Sequence, residues 1–275
     1  MSGYVDLHIH TVCSDGTRTP EEILRIVREK RLVAFSITDH DTLEGYRQTY
    51  QYLKNGDPEL VPGVELSAIE NGEDMHMLAY MFDPDNRAFN DCLEEFQETR
   101  RRRGRLMVEK LNALGLEITF EAVEMAAGST VIGRSHVAEV LVQLGHVSTF
   151  DEAFWKYIGT EGPAYVPKSK ITPADAIKLV HGAGGVAVLA HPFIGEAHQH
   201  IEGLAGIGLD GIEAYHYSHR NHQVTLLKSL AKRYGLFITG GSDYHGRQET
   251  EGEIGALQVP ANVLENMKQK AANLR

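Results

Sequence analysis

One β-rich run after another in this 275-residue chain stops at histidine or carboxylate. Tyr4–His10 ends in Asp6-Leu7-His8-Ile9-His10, Leu32–Thr38 meets Asp39-His40-Asp41, and Leu60–Leu66 closes on Glu65. Val186–Ala190 meets His191, and Leu236–Thr239 leads into Asp243-Tyr244-His245. Met75–Phe82 carries His76 within it, and Gly211–Tyr215 is a further run. Between them lie amphipathic stretches with helix-start chemistry. Thr19-Pro20-Glu21-Glu22 offers an N-cap threonine, a first-turn proline and a glutamate at N3, and Thr172-Pro173-Ala174-Asp175 is a second such start. Strands alternating with helices build a parallel sheet with helices outside it. Six or seven such units imply an α/β fold closing into a barrel, where strand ends converge on one face.

The alternation breaks in the middle of the chain. From about Asn86 the pattern is helical through Phe89, Leu93 and Phe96, then Leu106–Leu114, Phe120–Ala127, Ser135–Leu144 and Phe150–Ile158. We therefore expect residues 1–89 and 169–275 to form the barrel domain and 90–168 an all-helical insertion. Trp155 and Tyr157, at helical spacing, read as insertion core. The two cysteines, Cys13 and Cys92, form no close pair and exclude a thiolate zinc cluster. With 27 Lys+Arg against 38 Asp+Glu, the net charge of −11 argues against non-specific binding of duplex DNA. No uninterrupted apolar stretch reaches membrane-spanning length, and the N-terminus lacks a signal-peptide pattern, so the expectation is a cytoplasmic protein without a membrane partner.

Fourteen histidines against one tryptophan raise the question of metal. On a strand, His8 and His10 point to the same face, because side chains alternate with period two. Asp15, in a Ser-Asp-Gly turn, joins His40, Glu65, His76, His191, Asp243 and His245 as further donors near strand ends. Nitrogen and oxygen donors without thiolate suit Mn²⁺, Fe²⁺ or Zn²⁺ over Cu(I), and over the all-oxygen sites of Ca²⁺. The Gly182-Ala183-Gly184-Gly185 stretch matches a loose dinucleotide fingerprint, but here helix precedes strand, the reverse of what that fingerprint needs. Its glycines read as a helix C-cap and a tight turn.

Asp-Leu-His-Ile-His-Thr, Ser-Asp-Gly, Ile-Thr-Asp-His-Asp, Pro-Gly-Val-Glu, Ala-His-Pro and Gly-Ser-Asp-Tyr-His-Gly, in this order, resemble the PHP (polymerase and histidinol phosphatase) family. The resemblance implies a distorted (β/α)7 barrel with up to three divalent ions, Mn²⁺ ahead of Fe²⁺ or Zn²⁺. It places one ion on His8, His10, Glu65 and Asp243, a second on Glu65, His76 and His191, and a third on Asp15, His40 and His245. Asp15 stands where some members carry histidine. The short barrel with its insertion is similar to a bacterial subgroup of 3′,5′-nucleoside bisphosphate phosphatases and 5′-to-3′ exoribonucleases. The implied reaction is removal of the 3′-phosphate from a nucleoside 3′,5′-bisphosphate, with trimming of short 5′-phosphorylated RNA as a related activity.

Gly133-Arg134-Ser135-His136 opens a helix, where backbone N–H groups and an arginine suit a second phosphate. Arg134, Ser135, His136 and Lys168 are the expected substrate contacts, with Arg102 and Arg103 drawn from the run Arg100–Arg103. Glu65 is the expected catalytic carboxylate. His216 is either a general acid for the leaving alcohol or a hydrogen-bonded wall of the pocket. Three competing readings share the scaffold: a histidinol-phosphate-type phosphatase, an amide-cleaving metal barrel, and a non-enzymatic metal-bound regulatory module. The last is disfavoured because no expected ligand position is lost.

Overall fold

Thr19 caps the first helix as its sequence predicts. Its hydroxyl accepts from the Glu22 N–H at 3.3 Å while Glu22 Oε2 accepts from the Thr19 N–H at 2.9 Å, closing a capping box in front of Pro20. Thr172 also caps its helix, Pro173–Gly182, its hydroxyl accepting from the Asp175 N–H at 3.1 Å. The first of these helices buries Ile23, Leu24 and Val27 against Phe35 and Ile37. Each such side chain contributes roughly 1.5–3 kcal/mol when fully removed from water.

The computed structural model describes residues 3–128, 131–167, 171–246 and 252–274. In chain order the elements are β1 (Tyr4–Ile9), α1 (Pro20–Glu29), β2 (Ala34–Ile37), α2 (Glu44–Tyr52), β3 (Glu59–Leu60), β4 (Gly63–Glu70) and β5 (Glu73–Tyr80). Then come α3 (Arg87–Ala113), α4 (Phe120–Ala127), α5 (Arg134–Gln143) and α6 (Phe150–Ala153), the last running into a π-helical turn over Phe154–Ile158. The chain returns through α7 (Pro173–Gly182), β6 (Val186–Leu189), α8 (Ile201–Gly206), β7 (Gly211–Tyr215), α9 (Asn221–Tyr234), β8 (Phe237–Gly240), β9 (Val259–Pro260) and α10 (Asn262–Leu274). It divides into two compact units, residues 1–91 with 170–275, and residues 92–169.

The first unit is a mixed α/β fold with two sheets, ordered β3-β2-β1-β9 and β4-β5-β6-β7-β8. Backbone bonds stitch the sheets at two places. At one, the Asp243 N–H donates to His8 O at 2.8 Å and the His10 N–H to Tyr244 O at 2.9 Å. At the other, His40 bridges to Glu65 and the Asp41 N–H donates to Glu65 O at 3.0 Å. Both stitches run through expected metal ligands, so the contacts that join the sheets also place the site's side chains. The second unit is helical among its described residues, with Met107, Leu111, Val123, Val137, Leu141 and Ile158 in its own core.

The structure departs from the expected all-parallel sheet in three places. The run Leu60–Leu66 is two strands, a two-residue β3 and a β4 that continues past Glu65 to Glu70. β4 and β5 form an antiparallel hairpin, and β5 also pairs antiparallel with β6. The cause is Asn71-Gly72, both at positive φ (51° and 89°), a two-residue turn whose twist matches that of a hairpin. The reversal explains how His76, in the middle of its strand, comes to the site. In the hairpin register Ser67 faces His76 and Glu65 faces Leu78, so Glu65 and His76 share one sheet face. Finally, β9 adds an antiparallel edge against β1. Trp155, expected in the insertion core, is instead 81% exposed, while Tyr157 packs on that core.

Gly241 marks how tightly β8 and β1 are joined: a Cβ there would collide with the backbone nitrogen and Cβ of His8. Gly241→Ala is therefore expected to cost about 3 kcal/mol in urea denaturation. Gly203→Ala, in α8 with open space around it, should be neutral or stabilising by about 0.5–1 kcal/mol. Equal effects at the two positions would contradict the close approach.

Candidate metal centre

The carboxylate of Glu65 is buried and faces five imidazoles. On Oε2 lie His8 Nε2 at 3.2 Å, His10 Nε2 at 3.1 Å and His40 Nδ1 at 3.3 Å. On Oε1 lie His76 Nδ1 at 2.8 Å and His191 Nε2 at 3.0 Å. Asp243 enters from the loop after β8, its Oδ1 3.2 Å from both His8 Nε2 and His10 Nε2. Asp15 lies at the rim, with Oδ1 3.3 Å from His245 Nε2 and 3.6 Å from His10 Nδ1, and Oδ2 3.9 Å from His40 Nε2. All nine ligands expected from the sequence are thus brought together.

Three donor groups have the compactness an ion needs: His8, His10, Glu65 and Asp243; His40, Glu65 and His76; and His10, Asp15, His40 and His245. The resemblance had put His191 in the second group. His191 does face Glu65 Oε1, and His40 lies between the second and third groups. In the first group, the five pairs that include a histidine are separated by 3.1–3.2 Å. Donor atoms packed that closely around one point are the arrangement that a small divalent ion would need.

Tautomers strengthen the fit. His8 Nδ1 lies 2.9 Å from Glu213 Oε1, a carboxylate that only accepts, so the proton sits on Nδ1. Its Nε2 then presents a lone pair to a point that Glu65 and Asp243 also face with lone pairs. A cation resolves that opposition, and so do extra protons. Burial opposes protonation of His8 and His10, yet Glu213 and Asp243 carry His8 well above its usual range, and hydrogen bonds to Asp243 and Glu65 carry His10 up to about 10. His40 goes the other way, pushed down to about 3 by burial that outweighs the attraction of Glu65 and Asp15. Its Nδ1 is buried without a hydrogen-bond partner, as a ligand nitrogen kept for an ion would be. Burial works against Glu65, Asp243 and Asp15 as well, but the surrounding imidazoles hold all three well below the usual carboxylate range.

Support comes from groups the sequence left without a role. Asp39 accepts from the Thr11 N–H, Thr11 hydroxyl and Ser14 hydroxyl, each at 2.7 Å, and so shapes the turn that presents Asp15. Asp6, pushed up to about 6 by burial, accepts from the Ser242 and Gly255 N–H groups at 2.9 Å and steadies the loop leading to Asp243. Glu213 lies behind His8 and His191. The only sequence signal for these acids is a carboxylate within or beside a buried apolar run. His216 accepts from the Ser218 N–H on Nδ1 at 3.2 Å, which leaves Nε2–H to donate to Asp243 Oδ2 at 3.2 Å. Cys13 is buried and its thiol is pushed up to about 12 by burial and by Asp39, a poor nucleophile.

The expected substrate residues lie in the second unit. Arg134 opens α5 and its guanidinium carbon stands 5.5 Å from the Phe154 ring centroid and 5.9 Å from that of Tyr165. Ser135 follows it, and His136 Nδ1 accepts from the Gly133 N–H at 3.1 Å, capping the helix with an imidazole. Arg103 Nε donates to Val166 O at 2.7 Å, and the exposed Arg102 forms an i,i+4 pair with Glu98 at 3.4 Å. Lys168 lies outside the described residues.

The PHP domain family matches residues 6–154. The chain is similar to the 5′-3′ exoribonuclease Rnm of Salmonella typhimurium, 31% identical over 250 residues covering 87% of this chain and 84% of that protein. It is also similar to a 3′,5′-nucleoside bisphosphate phosphatase of Chromobacterium violaceum, 30% identical over 91% of this chain and 90% of that one. A phosphoribosyl 1,2-cyclic phosphate 1,2-diphosphodiesterase of Eggerthella lenta is 29% identical over 93% and 99%. Among solved structures, one from Bifidobacterium adolescentis assigned as a metal-dependent phosphoesterase superposes with a TM-score of 0.86 at 31% identity, covering 97% of this chain and 96% of its own. An amidohydrolase from Chromobacterium violaceum, with bound sulfate and no metal, gives 0.82 at 28% over the same shares.

Two outcomes follow for the metal-free protein. His10 has its pKa raised from about 6.5 in an unfolded chain to about 10, so its contribution to stability is full below about pH 6.5 and is lost as pH rises through 10. The depressed carboxylates contribute above about pH 4, and that contribution is lost as acid protonates them. Melting temperatures with chelator should therefore fall on both sides of a mildly acidic optimum. Saturating Zn²⁺ should displace the His10 proton, raise the melting temperature and flatten the alkaline decline. Glu65→Gln should lower Zn²⁺ affinity at least about 100-fold in chelator competition, more than loss of an outlying hydrogen-bond partner does.

Proposed function

Because this chain is a metal-dependent phosphoesterase of the PHP family, we propose that it removes the 3′-phosphate from nucleoside 3′,5′-bisphosphates and trims short RNA from a 5′-phosphorylated end. The observation that carries the reading is the chemistry common to the relatives' names. A nucleoside bisphosphate, a phosphoribosyl cyclic phosphate and RNA are all phosphate esters of ribose. In this reading the two stitched sheets are the distorted (β/α)7 barrel, residues 90–168 are its insertion, and the protein works in the cytoplasm. No helix among the described residues is long and apolar enough to cross a membrane.

His8, His10, Glu65 and Asp243 would hold one ion, Glu65, His76, His191 and His40 a second, and Asp15, His10, His40 and His245 a third, with Mn²⁺ the proposed native metal. When bound, such ions activate water and neutralise charge on both the attacked and the leaving oxygen of a phosphate ester. The chain's own groups set the stage. Glu65 offers an oxygen to each side of the cluster. His216 directs Nε2–H at Asp243 Oδ2, which supports a positioning role over that of proton donor to the leaving group. Arg134, with the Ser135 and His136 region at the N-terminus of α5, is assigned the second phosphate. An arginine can offer two parallel donors to a phosphate, and the N-terminal end of a helix favours an anion.

The test is phosphate release by Mn²⁺-loaded protein from adenosine 3′,5′-bisphosphate beside 3′-AMP, 5′-AMP and histidinol phosphate. The bisphosphate should be turned over with the highest kcat/KM. Arg134→Ala should lower kcat/KM for it by about 10–100-fold, in line with loss of a charged hydrogen-bonded pair of about 1.5–3 kcal/mol, while leaving 3′-AMP turnover nearly unchanged. Equal or faster turnover of histidinol phosphate would replace this substrate assignment with the histidinol-phosphate reading.

A further inference from the structure

Strand β7 supplies none of the nine expected ligands, yet one of its side chains touches two of them. Glu213 is completely buried. Its Oε1 accepts from His8 Nδ1 at 2.9 Å, and its Oε2 accepts from the His191 backbone N–H at 2.7 Å. His8 belongs to the group on Glu65 Oε2, whereas His191 Nε2 sits on Glu65 Oε1. The two rings stack, 5.8 Å between centroids and 20° between planes. His191 also holds a backbone φ of 23°, a strained conformation that persists only when its surroundings enforce it.

We propose that Glu213 is a positioning residue that couples the ions on the two sides of Glu65, orienting the His8 ring with one oxygen and the His191 backbone with the other. The inference rests on the metal reading of the preceding subsection. The chemistry requires a carboxylate. Both partners are donors, so both atoms of the supporting group must accept. An amide in its place accepts on its oxygen but confronts the second donor with its own NH2. Glu213→Gln thus breaks one of the two contacts while keeping the shape of the side chain. Because the remaining contact shares the same rigid group, both ions feel the change.

The experiment is Zn²⁺ titration of wild type and Glu213→Gln by chelator competition, with circular dichroism melting of each metal-free protein. The expected result is a loss of about 10–100-fold in affinity for both tightest ions, the scale of losing a hydrogen-bond partner behind a metal ligand. A weakened affinity for one ion alone overturns the coupling. Unchanged affinity with a lowered metal-free melting temperature shows a merely structural role and overturns the proposal outright. If wild type takes up no divalent ion, the metal reading itself falls and this inference with it. Should Glu213→Gln fail to fold, ¹⁵N-histidine spectra of Zn²⁺-loaded wild type decide. A slowly exchanging His8 Nδ1–H together with a protected His191 amide is expected, and a freely exchanging His8 Nδ1–H overturns it.

Discussion

Everything in the barrel unit converges on Glu65. A buried carboxylate is costly unless cations or donors surround it, and here five imidazoles supply that environment from β1 and the residue just after it, the loop after β2, β5 and the loop after β6. The same side chain accounts for the stitching of the sheets, because the backbone at Glu65 receives the Asp41 N–H and bridges to His40. Removing the carboxylate would strip the cluster of its common partner.

The scaffold around it maintains conformations that the residues would not choose alone. Asp41, His191 and Asp243 all carry positive φ (54°, 23° and 52°), and none is glycine. Each is a ligand or adjoins one, and each is pinned by hydrogen bonds. The Ser67 N–H binds Asp41 Oδ1 at 3.0 Å, the His191 N–H binds Glu213, and the Asp243 N–H binds His8 O. Backbone strain at these points is the expected mark of a site whose geometry is set before anything binds to it.

Much of the site was legible in the sequence because strand ends are where such a fold gathers polar groups, and His8, His10, His40, His191, Asp243 and His245 all follow that rule. Glu65 was read as closing a strand and His76 as lying within one, but the structure places Glu65 inside β4, which continues to Glu70, opposite the strand that carries His76. The Asn71-Gly72 turn reverses the chain, so mid-strand residues of β4 and β5 face each other at the site, and a rule written for the ends of parallel strands does not describe it. Asp39, Asp6 and Glu213 escaped assignment because their work is done through other residues, and a one-dimensional sequence does not display who stands behind whom. Trp155 misled for a simpler reason: helical spacing cannot say which face of a short π-helical turn points outward.

The most direct test is anomalous diffraction from crystals of the protein grown with Zn²⁺. The account expects two peaks flanking the Glu65 carboxylate, one of them about 2.0 Å from His8 Nε2, His10 Nε2, Glu65 Oε2 and Asp243 Oδ1. A single peak away from Glu65, or no peak within bonding distance of that quartet, would contradict the claim that this carboxylate is the shared centre of the site.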